Sequence, residues 1–324
     1  MHVDLNTFLV VLKIYKMKYT ILGAGGSVSN ALIPELQKRK IDVRLVSRRA
    51  SPVDGISENI SADLLDSKAV SDAVAGTDVA FLLAGLPYST KVWKEKWPIV
   101  MQNVIDACEK HKVKLVFFDN VYMYGRVEGK MTEETPNNPC SKKGEVRAKI
   151  ATMLMDAIKA GKIQGLVARA ADFYGPNVNS SLITFLVIDN IKKGKKPQVL
   201  LNDKTTHSFT FIPDTGRALA DLAADKSALN QIWHLPTYNP APTGKEMIEI
   251  FVKYYGISAK YSVMGKMLVN IGSLFIPVVR ELKEMMYQYE YNYYFDSTKF
   301  EKHFGYGATS YEEGLKQTAE FYKS

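Results

Sequence analysis

Apolar and polar positions show two distinct patterns of spacing along the first half of the chain. Longer stretches with apolar residues at helical spacing predict helices at residues 67–75, 97–110 and 144–160. Between them, short runs rich in apolar and β-branched residues predict strands at residues 18–23, 42–46, 79–84, 114–118 and 163–168. Strands that alternate with helices indicate crossover units, and therefore an α/β fold with a doubly wound parallel sheet of the Rossmann type. Ligands of such a sheet bind at the carboxyl ends of its strands.

The alternation weakens after Pro176, where a second and smaller unit is expected. Residues 245–255 and 311–322 have helical patterns, and residues 264–279 predict a helix that covers a pocket. Residues 287–295 form a run rich in tyrosine. These patterns predict a covering layer over the ligand edge of the sheet.

The change of pattern gives an expected division into domains. We predict a dinucleotide-binding Rossmann domain at residues 17–176 plus about 206–240. A smaller, discontinuous C-terminal substrate-binding domain is predicted at about 177–205 and 241–324. Residues 1–16 precede the first predicted strand, so we interpret them as a disordered N-terminal extension.

Composition and charge narrow the class of protein. Of the 324 residues, 46% are hydrophobic and 23% are charged, which is typical of a folded soluble protein. The net charge of +8 is spread along the chain, so we expect no nucleic-acid partner. The two cysteines, Cys108 and Cys140, lack metal-ligand spacing, and we expect no metal site and a cytoplasmic location. The apolar residues 8–12 and 264–279 are too short to span a bilayer, so no membrane partner is expected. The expected partner is a small-molecule substrate, and the expected state is a monomer or homodimer.

A glycine-rich segment follows the first predicted strand and leads into a helical pattern. Glycines allow a sharp turn and the close approach of a pyrophosphate, and the helix N-terminus offers free N–H donors. The position of the segment as the first strand-to-helix turn favours a dinucleotide site over a simple tight turn. We expect contacts to the cofactor from Gly23, Gly25, Gly26, Ser27 and Val28.

The end of the second predicted strand indicates which dinucleotide binds. NAD-binding proteins commonly have an acidic residue there for the ribose 2′-hydroxyl. This chain has Ser47, Arg48 and Arg49 instead, with no carboxylate. A serine and two arginines suit a 2′-phosphate, since guanidinium groups form charge-assisted hydrogen bonds with phosphate. We therefore predict NADP as the cofactor, with NAD less favoured.

Five motifs in order, from about residue 17 to the C-terminus, resemble the extended short-chain dehydrogenase/reductase family, the NAD(P)-dependent epimerase/dehydratase group. They include residues 118–125, similar to the strand that carries the catalytic serine, residues 169–176, similar to "RPxNVYGP", and residues 209–218, similar to "FVYVDDVARA". The resemblance implies adenosine contacts in two further segments, at Asp63, Leu64, Ala84 and Gly85.

The family's catalytic residues are replaced in this chain. Asn120 stands in the place of the catalytic serine. Aligned on Pro139 and Gly144, Lys143 stands in the place of the catalytic tyrosine and Arg147 in that of the lysine. The resemblance therefore implies an atypical member that lacks the YxxxK pair.

Two other alignments of the same segment remain open. One puts Glu145 and Lys149 in the two catalytic places, and the other puts Cys140 and Gly144 there. The tyrosine is absent from all three alignments.

These replacements predict roles for the residues near the reacting atoms. Arg147 would hold the nicotinamide ribose and make the nearby Lys143 easier to deprotonate, so that Lys143 acts as acid or base and also contacts the cofactor. Asn120 would bond a carbonyl oxygen, and Tyr122 is an alternative proton donor. Ordinary surface positions for Lys143 and Arg147 would mean a dead site. We expect substrate contacts from Tyr88, Asn120, Tyr174 and His207.

His207 bears on the class of substrate. It stands where many sugar-nucleotide enzymes of this family have an arginine that grips a pyrophosphate, and an imidazole is the weaker clamp. The leading hypothesis is therefore an NADP(H)-dependent oxidoreductase of atypical mechanism that acts on a small carbonyl or alcohol compound. The alternatives are a non-catalytic NADP(H) sensor and a sugar-nucleotide epimerase or dehydratase.

Overall fold

The computed structural model describes residues 16–49, 51–56, 58–179 and 181–323. Its strands are β1 (Lys18–Leu22), β2 (Asp42–Ser47), β3 (Glu58–Ser61), β4 (Val79–Leu82), β5 (Lys114–Asp119), β6 (Lys130–Met131), β7 (Gly165–Arg169), β8 (Asp172–Tyr174), β9 (Gln198–Leu200), β10 (Phe209–Phe211), β11 (Ile232–His234), β12 (Ser262–Met264) and β13 (Tyr294–Phe295). Its helices are α1 (Ser27–Lys38), α2 (Ser67–Val74), α3 (Thr90–His111), α4 (Lys142–Lys159), α5 (Asp189–Lys192), α6 (Ile212–Ala224), α7 (Gly244–Tyr255), α8 (Lys266–Phe275), α9 (Pro277–Leu282), α10 (Tyr287–Glu290), α11 (Thr298–Phe304) and α12 (Tyr311–Lys323). Short 3-10 turns occur at Tyr122–Tyr124, Lys226–Ala228 and Lys283–Met285, and a π-helical turn, Thr184–Ile188, leads into α5.

Seven parallel strands form the central sheet, in the order β3-β2-β1-β4-β5-β7-β11. Strands β1, β2 and β3 follow one another toward one edge of the sheet. Strand β4 lies on the other side of β1, and β5, β7 and β11 continue toward the opposite edge. This reversal between β1 and β4 is the switch point at which ligands bind to open α/β sheets. The predicted doubly wound parallel sheet is confirmed.

Both faces of the sheet are covered, which explains why its strands are apolar on both sides. Tyr19 and Ile21 of β1 pack with α1 and α6 on one face. Leu22, which points the other way, packs in the cluster that contains α2, α3 and α4. Successive residues of a strand therefore pack into two separate layers of core, one on each face of the sheet.

The C-terminal part of the chain adds a smaller core of its own. Helices α7 and α12 pack on each other and on β10, around buried residues that include Phe209, Phe251 and Leu315. Strand β11 and helix α6 return to the central sheet and to α1. The predicted division into two domains, with its residue limits, stays a prediction.

The structure differs from the sequence-based elements mainly at their ends. Helix α3 begins at Thr90, two turns before the predicted start at residue 97. The prediction missed this start because Ser89, Thr90 and Lys91 are polar and do not continue the apolar helical pattern. The half-exposed strand β3 and the short strand β11 have too few apolar positions to be predicted by pattern.

The predicted helix at residues 264–279 is two helices, α8 and α9. The break falls at Ile276, whose backbone is extended (φ −115°, ψ 108°). Pro277 explains the break, because proline disfavours helical backbone in the preceding residue.

The tyrosine-rich run at residues 287–295 contains the short helix α10 and the strand β13. The predicted N-terminal extension, apart from Lys16, lies outside the described residues. No helix among the residues that the structure describes is long and apolar enough to cross a bilayer.

Candidate functional site

The glycine-rich loop between β1 and α1 crosses the end of β4 at close range. Gly23 has φ +101°, and a Cβ at this position would lie 2.4 Å from the Cα of Ala84. Its N–H donates to the carbonyl of Val46 at 2.9 Å. Gly25 also has a positive φ, of +93°. Both the conformation and the close contact therefore require glycine at position 23.

The other side of this loop is open. A Cβ at Gly25 or Gly26 would meet no atom within 4 Å. Ser29 closes the turn from below, since its hydroxyl accepts from the N–H of Gly25 at 3.0 Å and donates to the carbonyl of Gly26 at 2.7 Å. No described side chain caps α1, which begins with Ser27 and Val28 and has no acidic residue in its first turn. This open, positively polarised helix end fits the pyrophosphate of a dinucleotide.

The residues predicted to bind adenosine lie at the same edge. The Ser47 hydroxyl donates to the carbonyl of Arg49 at 2.7 Å, and the Ser61 hydroxyl donates to that of Arg48 at 3.1 Å. Both arginine side chains are exposed to solvent. Hydrogen bonds to its backbone carbonyls thus hold the loop after β2 in place, while its guanidinium groups face the solvent.

The ends of β3 and β4 complete this edge. Asp63 is exposed, and its carboxylate accepts from the N–H of Leu65 at 3.0 Å. The Leu64 carbonyl accepts from Asn103 at 3.0 Å. Gly85 is exposed, and a Cβ there would meet no atom within 4 Å, whereas Ala84 lies under Gly23. The predicted cofactor residues of β1, β2, β3 and β4 therefore converge on the switch point.

Asn120 and Tyr122 follow β5 on the other side of the switch point. The Asn120 side-chain oxygen accepts from the N–H of Tyr122 at 3.1 Å. The Tyr122 ring stacks on Trp93, with 6.3 Å between the ring centroids. Burial, followed by interactions with Tyr88 and Asp172, raises the pKa of Tyr122 well above its usual value. Tyr122 is therefore a neutral phenol that can donate a proton.

Lys143, in the first turn of α4, is fully buried and surrounded by oxygen atoms. Its Nζ lies 2.5 Å from a carboxylate oxygen of Glu281, 2.8 Å from one of Glu284 and 2.9 Å from the hydroxyl of Thr90. The Tyr88 ring lies beneath it, with its centroid 4.6 Å away. The ammonium is thus paired with two carboxylates, which differs from the contact with a second cation that the sequence predicted.

The alternative alignments place their residues differently. Glu145 and Lys149 are exposed on the outer face of α4. Cys140 is exposed and interacts with the side chain of Tyr287. Gly144 packs so tightly that a Cβ would lie 2.5 Å from the carbonyl of Tyr122. Among the alternatives, only the Lys143 alignment puts a charged side chain into the pocket.

Arg147 occupies the core rather than an open pocket. It is 4% exposed, its Nε donates to Asp119 at 2.6 Å, and its guanidinium lies 4.7 Å from the ring of Trp97. The other Asp119 oxygen lies 4.0 Å from the Nε of Arg169. The contact of Arg147 with a nicotinamide ribose stays a prediction, and the observed ion pair gives this residue a structural partner.

His207 is buried and bonded through both ring nitrogens. Nδ1 lies 3.0 Å from the carbonyl of Gln288, and Nε2 lies 3.0 Å from the carboxylate of Asp172. The rings of Tyr289 and Tyr293 stack on it at 4.5 and 4.4 Å. His207 is therefore held in place by four neighbours.

Tyr174, another predicted substrate residue, is buried in the smaller core. It stacks on Tyr311, 5.8 Å away, and packs against Gly314 of α12. The structure does not bring it together with Asn120 or Lys143.

Several pocket residues were not found by sequence reasoning. Thr90, Glu281 and Glu284 are polar residues in segments without a recognised motif, and Asp119 lies in the motif at residues 118–125 but had no assigned role. The only available signal was the high density of charged residues at positions 280–284, which resembles any solvated helix.

A seven-stranded parallel sheet with an open glycine loop at its switch point defines a nucleotide-binding Rossmann protein. The profile of the NAD dependent epimerase/dehydratase family matches residues 19–235, and the chain belongs to this family. No curated protein matches the chain significantly.

Solved structures of similar fold come from several bacteria. UDP-glucuronic acid 4-epimerase from Bacillus cereus, in complex with NAD, is 18% identical, with a TM-score of 0.78 over 95% of this chain and 99% of the epimerase. The dTDP-glucose 4,6-dehydratase DesIV from Streptomyces venezuelae, with NAD, is 17% identical, with a TM-score of 0.77 over 95% and 97% of the two chains. UDP-glucose 4-epimerase from Thermotoga maritima is 18% identical, with a TM-score of 0.75 over 95% and 99%. At these identities the likeness concerns the fold.

Proposed function

We propose that the protein is an NADP(H)-dependent oxidoreductase that acts on a small carbonyl or alcohol compound. Family membership and the open loop at Gly25 and Gly26 support a nicotinamide dinucleotide as cofactor. When bound, the nicotinamide supplies or accepts a hydride. The side chains around the nicotinamide have the other roles in the reaction.

The observation that carries the NADP assignment is the end of β2. Ser47 is followed by two exposed arginines, and β2 ends without a carboxylate. The epimerase and the dehydratase named above hold NAD, so a preference for NADP would be a property of this chain. A 2′-phosphate would satisfy the outward-facing guanidinium groups, whereas a 2′-hydroxyl would not.

The side chains beyond β5 would handle the oxygen and the proton. The Asn120 amide can donate a hydrogen bond to a carbonyl oxygen. The Tyr122 phenol or the Lys143 ammonium can donate the proton that converts an alkoxide into an alcohol. Arg147 would act indirectly, by fixing α4 against β5 through its ion pair with Asp119.

Sugar-nucleotide epimerisation or dehydration is the second candidate, because the chain belongs to a family with that description. The surroundings of His207 favour the smaller substrate. Both ring nitrogens of His207 are already bonded, to the Gln288 carbonyl and the Asp172 carboxylate, so neither is free to bind a pyrophosphate. If a UDP-sugar copurifies with the protein, sugar-nucleotide epimerisation or dehydration becomes the first candidate and the small-molecule oxidoreductase the second.

Calorimetric titration with the two reduced cofactors tests the assignment. NADPH should bind at least ~10-fold more tightly than NADH, a difference of about 1.4 kcal/mol. Equal affinities, or a preference for NADH, would contradict it. Oxidation of NADPH in the presence of a panel of aldehydes and ketones then separates an enzyme from a sensor, which would bind NADPH without consuming it.

A further inference from the structure

Glu281 and Glu284 lie against a cluster of hydrogen-bond donors suited to carboxylates. We call this cluster, formed by Thr90, Lys142 and Lys143, the receptor. Glu281 accepts from the N–H of Thr90 at 2.8 Å, from its hydroxyl at 2.9 Å and from Lys143 at 2.5 Å. Glu284 accepts from the N–H of Lys142 at 2.8 Å and from the Lys143 ammonium at 2.8 Å. Each carboxylate thus lies at the N-terminus of a long helix, α3 or α4, and the buried ammonium lies between them.

The receptor holds its occupant in the ionised form. Burial opposes ionisation of Glu281, but hydrogen bonds from Lys143 and Thr90 and the charge of Lys143 outweigh it, and the pKa of Glu281 lies below its usual value. A fully buried ammonium without a counter-ion would be strongly destabilising. An anion must therefore be present at this position whenever Lys143 is buried.

The donors belong to the rigid part of the molecule. Thr90 begins α3 directly after the loop from β4, and Lys142 and Lys143 begin α4. Both helices pack on the central sheet, next to β5, the strand that Asn120 follows. The receptor therefore opens on the same edge as the predicted reacting groups.

The two glutamates belong to a segment that is weakly held. We call residues 265–286, which contain α8 and α9, the lid. Only Val269 and Ser273 of α8 are buried, and no residue of α9 is, whereas Met285 and Met286 at the end of the lid are buried. Phe275 is 78% exposed and Met267 is 71% exposed. With so little buried surface in α8 and α9, this part of the lid can move away from α3 and α4 while its end stays anchored.

We propose that Thr90, Lys142 and Lys143 form the binding site for a carboxylate of the substrate, and that Glu281 and Glu284 of the lid occupy this site until the substrate displaces them. The substrate would then be an oxo or hydroxy acid. Its reduction or oxidation rests on the proposed function, whereas the anion site does not. With Lys143 engaged by the carboxylate, Tyr122 remains as the proton donor.

Calorimetric titration with malonate, which carries two carboxylates, tests the site without any turnover. The double variant Glu281→Gln/Glu284→Gln removes the competing charges, so it should bind malonate at least ~10-fold more tightly than the unmodified protein. Glu249→Gln is the matched control, because Glu249 pairs with Lys245 on α7, at 3.7 Å, and lies outside both the lid and the receptor. It should bind malonate as the unmodified protein does.

Further substitutions in the double variant identify the donors. Adding Lys143→Met should abolish malonate binding, and adding Thr90→Val should weaken it several-fold through loss of one donor. If the Lys143 variant does not fold, the Thr90 variant decides. Inorganic phosphate is titrated in parallel, and tighter binding of phosphate than of malonate would overturn the carboxylate assignment.

Three other results would overturn the proposal: equal malonate affinity in the double variant and the unmodified protein, an equal gain in Glu249→Gln, or no effect of Thr90→Val. NADPH titration of the same samples keeps the two proposals apart. Loss of NADPH binding with a retained malonate gain would contradict only the proposed cofactor. Retained NADPH binding without a malonate gain would contradict only the anion site.

Discussion

The two halves of the ligand edge are built on different principles. On the dinucleotide side, Gly23, Gly25 and Gly26 form a loop whose shape depends on the backbone alone. On the substrate side, Lys143 is held by Glu281 and Glu284, which lie about 140 positions further along the chain. The first half follows a local pattern, and the second half depends on side chains from distant segments.

The difference shows which features of a family can change. A loop that touches a neighbouring strand within 2.4 Å of a missing Cβ tolerates only glycine, so its pattern persists. A pocket formed by side chains can accommodate a buried lysine when partners balance its charge. Here the lid supplies those partners, in the form of two carboxylates.

The largest expected effect tests the substrate side. Lys143→Met should lower turnover of a true substrate by about 10²–10⁴-fold, whether Lys143 donates the proton or anchors the substrate. Cofactor affinity should change little. Lys159→Met, whose side chain is exposed at the other end of α4, is the control and should leave turnover unchanged. Full activity of Lys143→Met would remove this lysine from the mechanism and leave Tyr122.

A pair of glycine variants tests the dinucleotide side. Gly23→Ala adds a Cβ 2.4 Å from the backbone of Ala84 at φ +101°, and should destabilise the fold by about 2–4 kcal/mol in urea unfolding. Gly26→Ala has open space and an ordinary φ of −86°, so its stability should be nearly unchanged. Its Cβ would enter the space assigned to the pyrophosphate, and NADPH affinity should fall. Unchanged affinity would show that the dinucleotide does not approach this loop.

Variants of the β2 loop sharpen the comparison within the dinucleotide side. Arg48→Ala/Arg49→Ala should weaken NADPH binding by ~10-fold, about 1.4 kcal/mol, because the 2′-phosphate loses its charge-assisted contacts. NADH binding should not change. Lys68→Ala removes an exposed cation from the nearby helix α2 and serves as the control. An equal loss for NADH and NADPH would mean that the arginines act without recognising the 2′-phosphate.

The last prediction concerns pH and the buried His234 of β11. Burial, with a contribution from the charge of Arg169, lowers the pKa of His234 from 6.5 to about 3 despite a hydrogen bond to the Asp296 carbonyl. The unfolded chain therefore binds a proton below pH 6.5 that the folded chain does not, so His234 destabilises the fold as the pH falls below that value. The change is at most about 1.4 kcal/mol per pH unit.

Urea unfolding at successive pH values measures this slope. His234→Gln cannot titrate and should have a flatter profile between pH 6.5 and 3. Identical profiles for the two proteins would show that His234 does not set the acid sensitivity.

The fold was largely predictable because its signals are local. The helical period and the short apolar runs located five of the seven strands of the central sheet. Residues near the ends of elements were harder, since Pro277 sets a helix boundary by restricting the backbone of the preceding residue rather than through apolar period. Strand β3 lacks the apolar residues that would have revealed it.

The candidate site divides in the same way. Glycine positions and the serine–arginine end of β2 are features of adjacent residues, and they converge in the structure on one edge. The environment of Lys143 depends on the lid, and that of Arg147 on Asp119 in a different element. No spacing along the chain reports such contacts, because the residues meet only after the sheet has formed.

The sequence by itself determined the sheet and the glycine loop, since each follows from neighbouring residues and their conformational limits, and it gave Lys143, Arg147 and Asn120 as predicted catalytic residues. Only the tertiary structure decided what those side chains contact. It paired Lys143 with the carboxylates of the lid, buried Arg147 against Asp119, and enclosed His207 between two tyrosines. The physical reason is that the electrostatic environment of a buried group depends on all elements packed around it, and packing brings together residues that the chain keeps far apart.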